Sequence, residues 1–112
     1  MALKRCIIEM GVGVDLHGGD YTKAAQRAVA NALWHNSLSF PRAVGKGPEA
    51  MQVDVTIAVA EPDSVDGDAV LSVLPYGERR IQVVKGGLDI PSEDGSDVTI
   101  MANAAVVVSM EL

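Results

Sequence analysis

Aromatic side chains are scarce in this chain: one tryptophan, one phenylalanine and two tyrosines, 4% of its residues. Packed rings therefore cannot make its core, although 48% of the 112 residues are hydrophobic. Val, Ile, Leu and Ala must fill it, which suits β-strands with one tight helix against them. Cysteine occurs once, at Cys6. A single thiol excludes an intramolecular disulfide and fits a reducing compartment. Its expected role is that of a small buried hydrophobe in the first strand. Basic residues are few as well: nine Lys and Arg against fifteen Asp and Glu give a net charge of −6. That balance argues against a nucleic-acid partner, whose binding rests on released counterions. No apolar run approaches the ~20 residues of a membrane helix, and Glu9 interrupts the apolar stretch after Lys4-Arg5, so no membrane span or signal peptide is expected. The expected location is cytoplasmic.

Several catalytic signatures are missing too. There is no G-x-S-x-G elbow, no C-x-x-C pair and no H-E-x-x-H helix, which removes ordinary serine hydrolase, redox and zinc-protease readings. The glycines do not fall in a G-x-G-x-x-G pattern, and no Walker lysine follows them, so a nucleotide fingerprint is absent.

The length fits one domain covering residues 1–112. Residues 3–12 alternate as a strand, with Cys6, Ile8, Met10 and Val12 on one face and Arg5, Ile7 and Glu9 on the other. Residues 21–36 carry helical spacing: Tyr21, Ala25, Ala28, Val29, Ala32 and Leu33 fall on one stripe, and Asp20 is placed to cap it. Trp34 lies opposite that stripe, either as a surface residue or as an interface anchor. His35 falls at the helix C-terminus, where a protonated imidazole complements the dipole. Residues 37–50 read as a loop on their Gly and Pro content. From Gln52 to Ala60, Val53, Val55, Ile57 and Val59 alternate with Gln52, Asp54, Thr56 and Ala58, a strand with one face buried. Residues 68–74 read as a short helix capped by Asp66 or Asp68, with a strand as the alternative, and Arg79 to Lys85 as another strand. Gly86-Gly87 opens a loop running through Pro91 and Gly95. Val98 to Met110 reads as a buried central strand with a bulge near Asn103. The expected fold is α+β: a single two-layer domain of order β-α-β-α-β-β, with a four-stranded mixed sheet and helices on one face. The bare face of that sheet, and the surplus of small apolar residues, predict a homo-oligomer packed sheet to sheet.

The residues that packing does not account for gather at Met10-Gly-Val-Gly-Val-Asp-Leu-His-Gly-Gly-Asp20, where the first strand hands over to the helix. Ligands of α/β domains collect at strand C-termini, and helix N-termini attract anions. Gly18 and Gly19 either provide unobstructed amides there or simply permit a turn of positive φ. Asp15, His17 and Asp20 have a D-x-H-x-x-D spacing. It offers metal ligands or a histidine base oriented by a carboxylate. With Asp20 committed to the helix cap, no metal and no cofactor are expected. The favoured pair is His17 as acid/base with Asp15 orienting it. Gly18, Gly19, Asp20 and Thr22 are ligand-binding candidates at the joint. Arg42 and Lys46 are cations on the following loop, available to an anionic ligand in the same chain or in a neighbour. Lys85, before Gly86-Gly87, is a weaker candidate.

The run Gly11-Val-Gly-Val-Asp-Leu-His-Gly-Gly-Asp-Tyr-Thr-Lys-Ala-Ala-Gln-Arg-Ala-Val29, with Asn36-Ser-Leu38, Val73-Leu-Pro-Tyr-Gly77 and Ala102-Asn-Ala-Ala-Val106, resembles a family of short bacterial and fungal proteins of unknown function. That family was first described from a Listeria genome as conserved hypothetical proteins, and the likeness spans nearly the whole chain. The order of elements is also similar to the small α/β units of the chorismate mutase and reactive-enamine deaminase classes. Those units form trimers with ligands between subunits. The same order resembles the three units of ring-opening amidohydrolases such as cyanuric acid hydrolase, whose Ser–Lys pairs have no counterpart here. This architectural likeness implies a trimer. The function expected is binding or transformation of a small polar or anionic metabolite at the strand–helix joint near a subunit interface. A non-catalytic ligand-binding or structural homo-oligomer is the alternative.

Overall fold

A computed structural model describes residues 2–34, 45–74 and 77–112, the side chain of Pro48 excepted. The chain runs β1 (Leu3–Asp15), α1 (Tyr21–Trp34), β2 (Gln52–Val59), α2 (Gly67–Leu71), β3 (Glu78–Lys85), β4 (Leu88–Pro91) and β5 (Val98–Glu111). Single 3₁₀ turns at Pro48–Ala50 and Pro62–Ser64 lead into β2 and α2. The expected two-layer α+β domain is what forms, with one strand more than expected.

The sheet is ordered β1-β5-β2-β3. β5 is central: its fourteen residues pair antiparallel with β1 along one side, and with β2 and then β4 along the other. β2 and β3 pair in parallel. The fifth strand, β4, sits in the stretch expected to be loop. It is only four residues long and bounded by Gly87 and Pro91, so turn-forming residues mask its pairing with residues 98–101. No bulge occurs at Asn103, where the β1–β5 ladder runs unbroken. The irregularity falls instead between Arg5 and Ile7, leaving Cys6 as the extra residue.

Both helices cover one face. Val53, Val55, Ile57 and Val59 of β2, together with Ile100, Ala102, Ala104, Val106 and Val108 of β5, are buried beneath them. β1 meets this core through Ile7, Glu9, Gly11, Gly13 and Asp15, whereas Ile8, Met10 and Val12 point to the opposite face and are exposed. The reason lies in Gly11 and Gly13. A Cβ on Gly11 would fall 2.2 Å from the Ala28 carbonyl oxygen, and one on Gly13 would fall 2.1 Å from that of Ala24. The helix presses its own backbone onto a strand stripped of side chains there, with Ala24, Ala28 and Ala32 forming the contact row. Glycine usually weakens a strand; here it admits close backbone approach.

Local signals set the ends. Asp20 Oδ1 accepts from the Lys23 amide at 3.0 Å and caps α1. Asp66 caps α2 in the same way, accepting from the Ala69 amide at 3.2 Å. Arg79 donates to the Leu71 and Leu74 carbonyls at the other end of α2. Among the described residues no helix is long and apolar enough to cross a membrane.

Candidate functional site

β1, β2 and β3 run in parallel, so Asp15, Val59 and Lys85 end at the same edge of the sheet. There the β1–α1 joint faces the β4–β5 hairpin across an open depression of about 450 Å³. Gly18 and Gly19 line one side, and Pro91 with residues 95–98 line the other. Both glycines have positive φ, 96° and 66°, so the joint needs them for its turn as well as for access.

His17 stands on the rim of this depression. Its Nδ1 lies 3.0 Å from Asp97 Oδ2, and its side chain is 86% exposed, so Nε2 is left to solvent. Asp97 also accepts from the amides of Gly18, at 3.1 Å, and Val98, at 2.8 Å. Those two amides, and then His17, hold its carboxyl below the usual carboxylate range. The carboxylate that orients His17 is therefore Asp97, not Asp15. Asp15 is 4% exposed and turned inward. It accepts from the Asp20 amide at 2.9 Å and faces Arg27 Nη1 at 3.5 Å, while the same Arg27 nitrogen donates to the Val14 carbonyl. Five residues of tight turn bring Asp15 to Asp20, out of His17's reach.

A second bond joins the same two elements. The Tyr21 hydroxyl donates to Asp89 Oδ2, and this bond, with partial burial and the negative charge of Asp89, pushes the phenol up to about 12. Asp89 Oδ1 is shut off from solvent without a partner among the described residues. The hairpin tip is ordered by Asp94, whose Oδ1 accepts from Ser92 Oγ, the Ser96 amide and Ser96 Oγ. The Ser96 bonds lead in lowering the Asp94 carboxyl to about 2.

The remaining expected site residues are scattered. Asp20 is spent as the helix cap. Thr22 Oγ1 accepts from the Asp66 amide at 2.9 Å and ties α1 to α2. Lys46 precedes β2, at the end of the sheet opposite His17, so the two do not share a depression within one chain. Lys85 ends β3, which two strands separate from β1. Arg42 and His35 lie outside the described residues. Among those described, no three His, Cys, Asp or Glu side chains gather as a metal site. Asp97, Asp89 and Ser96 were missed by sequence reasoning. They sit in a stretch of Ser, Asp and Gly whose local turn propensity gives no hint of a partner eighty residues away.

Residues 5–108 match the family described as "Conserved hypothetical protein (Lin0512_fam)". The chain belongs to that family. The expected resemblance is thereby established over nearly its whole length. Among solved structures it is similar to the crystal structure of an FtsZ-like protein of unknown function from Nostoc punctiforme. The two are 41% identical with a TM-score of 0.89, over 100% of this chain and 99% of that one. No curated protein matches the chain.

Proposed function

We propose that this protein binds or transforms a small polar metabolite at the β1–α1 joint, with His17 as the acid/base. The observation that carries the reading is the His17–Asp97 pair: a carboxylate fixes Nδ1 at 3.0 Å and leaves Nε2 exposed beside a depression. That is the arrangement in which a histidine accepts or delivers a proton at one defined atom. The Gly19 amide, and the Ser96 hydroxyl oxygen as an acceptor, supply further polar groups around the same space. Glu93, Asp94 and Asp97 make its hairpin side acidic. A neutral ligand, or a monoanion met by a cation such as Lys46 of a neighbouring subunit, suits it better than a phosphate. The single, half-buried cysteine fits a cytoplasmic protein.

The test is a screen of small hydroxy acids, amino acids and neutral amides by ¹H–¹⁵N spectra of the His17 ring. A ligand of this site shifts Nε2 together with the Gly18 and Gly19 amides. Where turnover is seen, His17→Ala abolishes it at unchanged molecular mass. Ligands that bind and perturb none of these signals would sink the reading.

A second reading, a non-catalytic homo-oligomer, is favoured by one observation. Ile8, Met10, Val12, Leu88 and Ile90 stand 46–71% exposed on the sheet face that neither described helix covers. Sedimentation of the purified protein decides whether copies associate.

A further inference from the structure

We infer that the uncovered sheet face packs against the same face of a second copy of this chain, with each Met10 seated over the other copy's Ala105. The inference rests on the homo-oligomer of the second reading and names its contact. Strand pairing sets out the face in rows. Ile8 lies beside Val107, Met10 beside Ala105, Val12 beside Asn103 and Val14 beside Met101. This strip has no ionisable side chain in a chain of net charge −6, so it is where two acidic copies can approach without like charges opposed.

Shape points the same way. Met10 is 71% exposed and projects next to Ala105, whose methyl leaves a socket in the row. A two-fold axis between β1 and β5 sets knob on socket twice, which is the self-complementarity an isologous contact requires. At about 4.8 Å per strand and 3.3 Å per residue, the whole five-strand face offers roughly 700 Å², of which the uncharged β1–β5 strip is about a third. Stable interfaces use about 800 Å² per partner.

The sheet edges favour face-to-face over edge-to-edge association. On β1, Asn31 Oδ1 accepts from the Val12 amide at 3.0 Å and Arg27 donates to the Val14 carbonyl at 2.7 Å, filling edge groups with helix side chains. The irregularity at Cys6 breaks the edge further along. On β3 the edge carries Glu78, Arg79, Arg80 and Lys85. Bulges, charges and covered groups are the devices that keep edges from pairing. The partner's chemistry is thus a second copy of the uncharged β1–β5 strip, beside which Asp54 and Arg80 on the same face pair with each other at 3.1 Å. The strip also runs up to Leu16, 61% exposed and next to His17, so association would cover the back of the β1–α1 joint.

Sedimentation and light scattering of the full chain test this. The wild type is expected at a multiple of 11.7 kDa. Met10→Glu, which places a charge in the strip, and Ala105→Leu, which fills the socket, are each expected to release monomer while keeping the wild-type circular dichroism. Trp34→Ala, on the helix side, is expected to leave the assembly intact. A monomeric wild type overturns the inference, as does an assembly that survives both strip variants or is dissolved only by Trp34→Ala. None of these results bears on whether His17 senses a ligand, so the site reading stands or falls separately.

Discussion

His17 and Asp97 meet at 3.0 Å although eighty residues of chain separate them. Two amides share the same carboxylate, so the bond that aims the imidazole also fastens the β4–β5 hairpin to the β1–α1 joint. Asp97→Ala should therefore do two things at once. It should lower stability, since backbone donors lose an acceptor. It should also release the His17 ring, read as averaged ring signals. His17→Ala should leave the melting temperature near that of wild type, because the ring is mostly in solvent. Equal destabilisation by the two variants would contradict this division of roles.

Asp15 is a folding residue by its contacts. Removing it as Asp15→Ala leaves the Asp20 amide and Arg27 without their buried acceptor, at a cost of about 2–3 kcal/mol. Urea denaturation checks this. A variant as stable as wild type would return Asp15 to the list of chemical candidates.

Tyr21 gives a pH signature. Its phenol is pushed from 10.0 to about 12, first by the bond to Asp89. The folded state thus prefers the protonated phenol. The stabilisation is complete below pH 10 and is lost as the pH climbs from there to about 12. Tyrosinate absorbance should show a late phase near pH 12 that Tyr21→Phe removes. That variant should also be about 1–3 kcal/mol less stable at neutral pH, since Asp89 loses its partner among the described residues.

Asp94 behaves with the opposite sign. Its carboxyl is lowered from 3.8 to about 2, so its support of the hairpin tip is present above about pH 4 and fades as the pH falls toward 2. Asp94→Asn should speed amide exchange at Ser96 around pH 5, and the difference from wild type should vanish below about pH 2. A difference that persists in acid would mean the tip is held by something else.

Gly13 and Gly18 separate two reasons for glycine. Gly13→Ala forces a methyl into the backbone of α1 and should cost about 3 kcal/mol. Gly18→Ala meets nothing within 4 Å but must keep φ near 96°, a strain of about 1 kcal/mol. Chemical denaturation of the two ranks them.

Periodicity made much of this legible. The β2 alternation, the α1 stripe and the Asp20 cap follow from residue spacing, because each depends on neighbours within a turn or a strand. β1 was harder to read: its apolar residues are the ones left bare, and its glycines mark the buried side, since a helix backbone replaces the side chains there. β4 escaped notice because pairing, not propensity, makes it a strand. The site was half visible. Asp15 and His17 stood out, yet the partner of His17 lies in another hairpin, and no local pattern encodes that distance.

The seat of α1 on Gly11 and Gly13 has a mechanical result. With no side-chain layer to slide or repack, strand and helix are locked as one rigid body, and the His17 turn inherits that stiffness. The opposite wall is the β4–β5 hairpin, whose long strand is itself paired with β1 as far as Asp15 and Ile100. Two carboxylate bonds, Asp89 with Tyr21 and Asp97 with His17, fasten the rest of that wall to the same body.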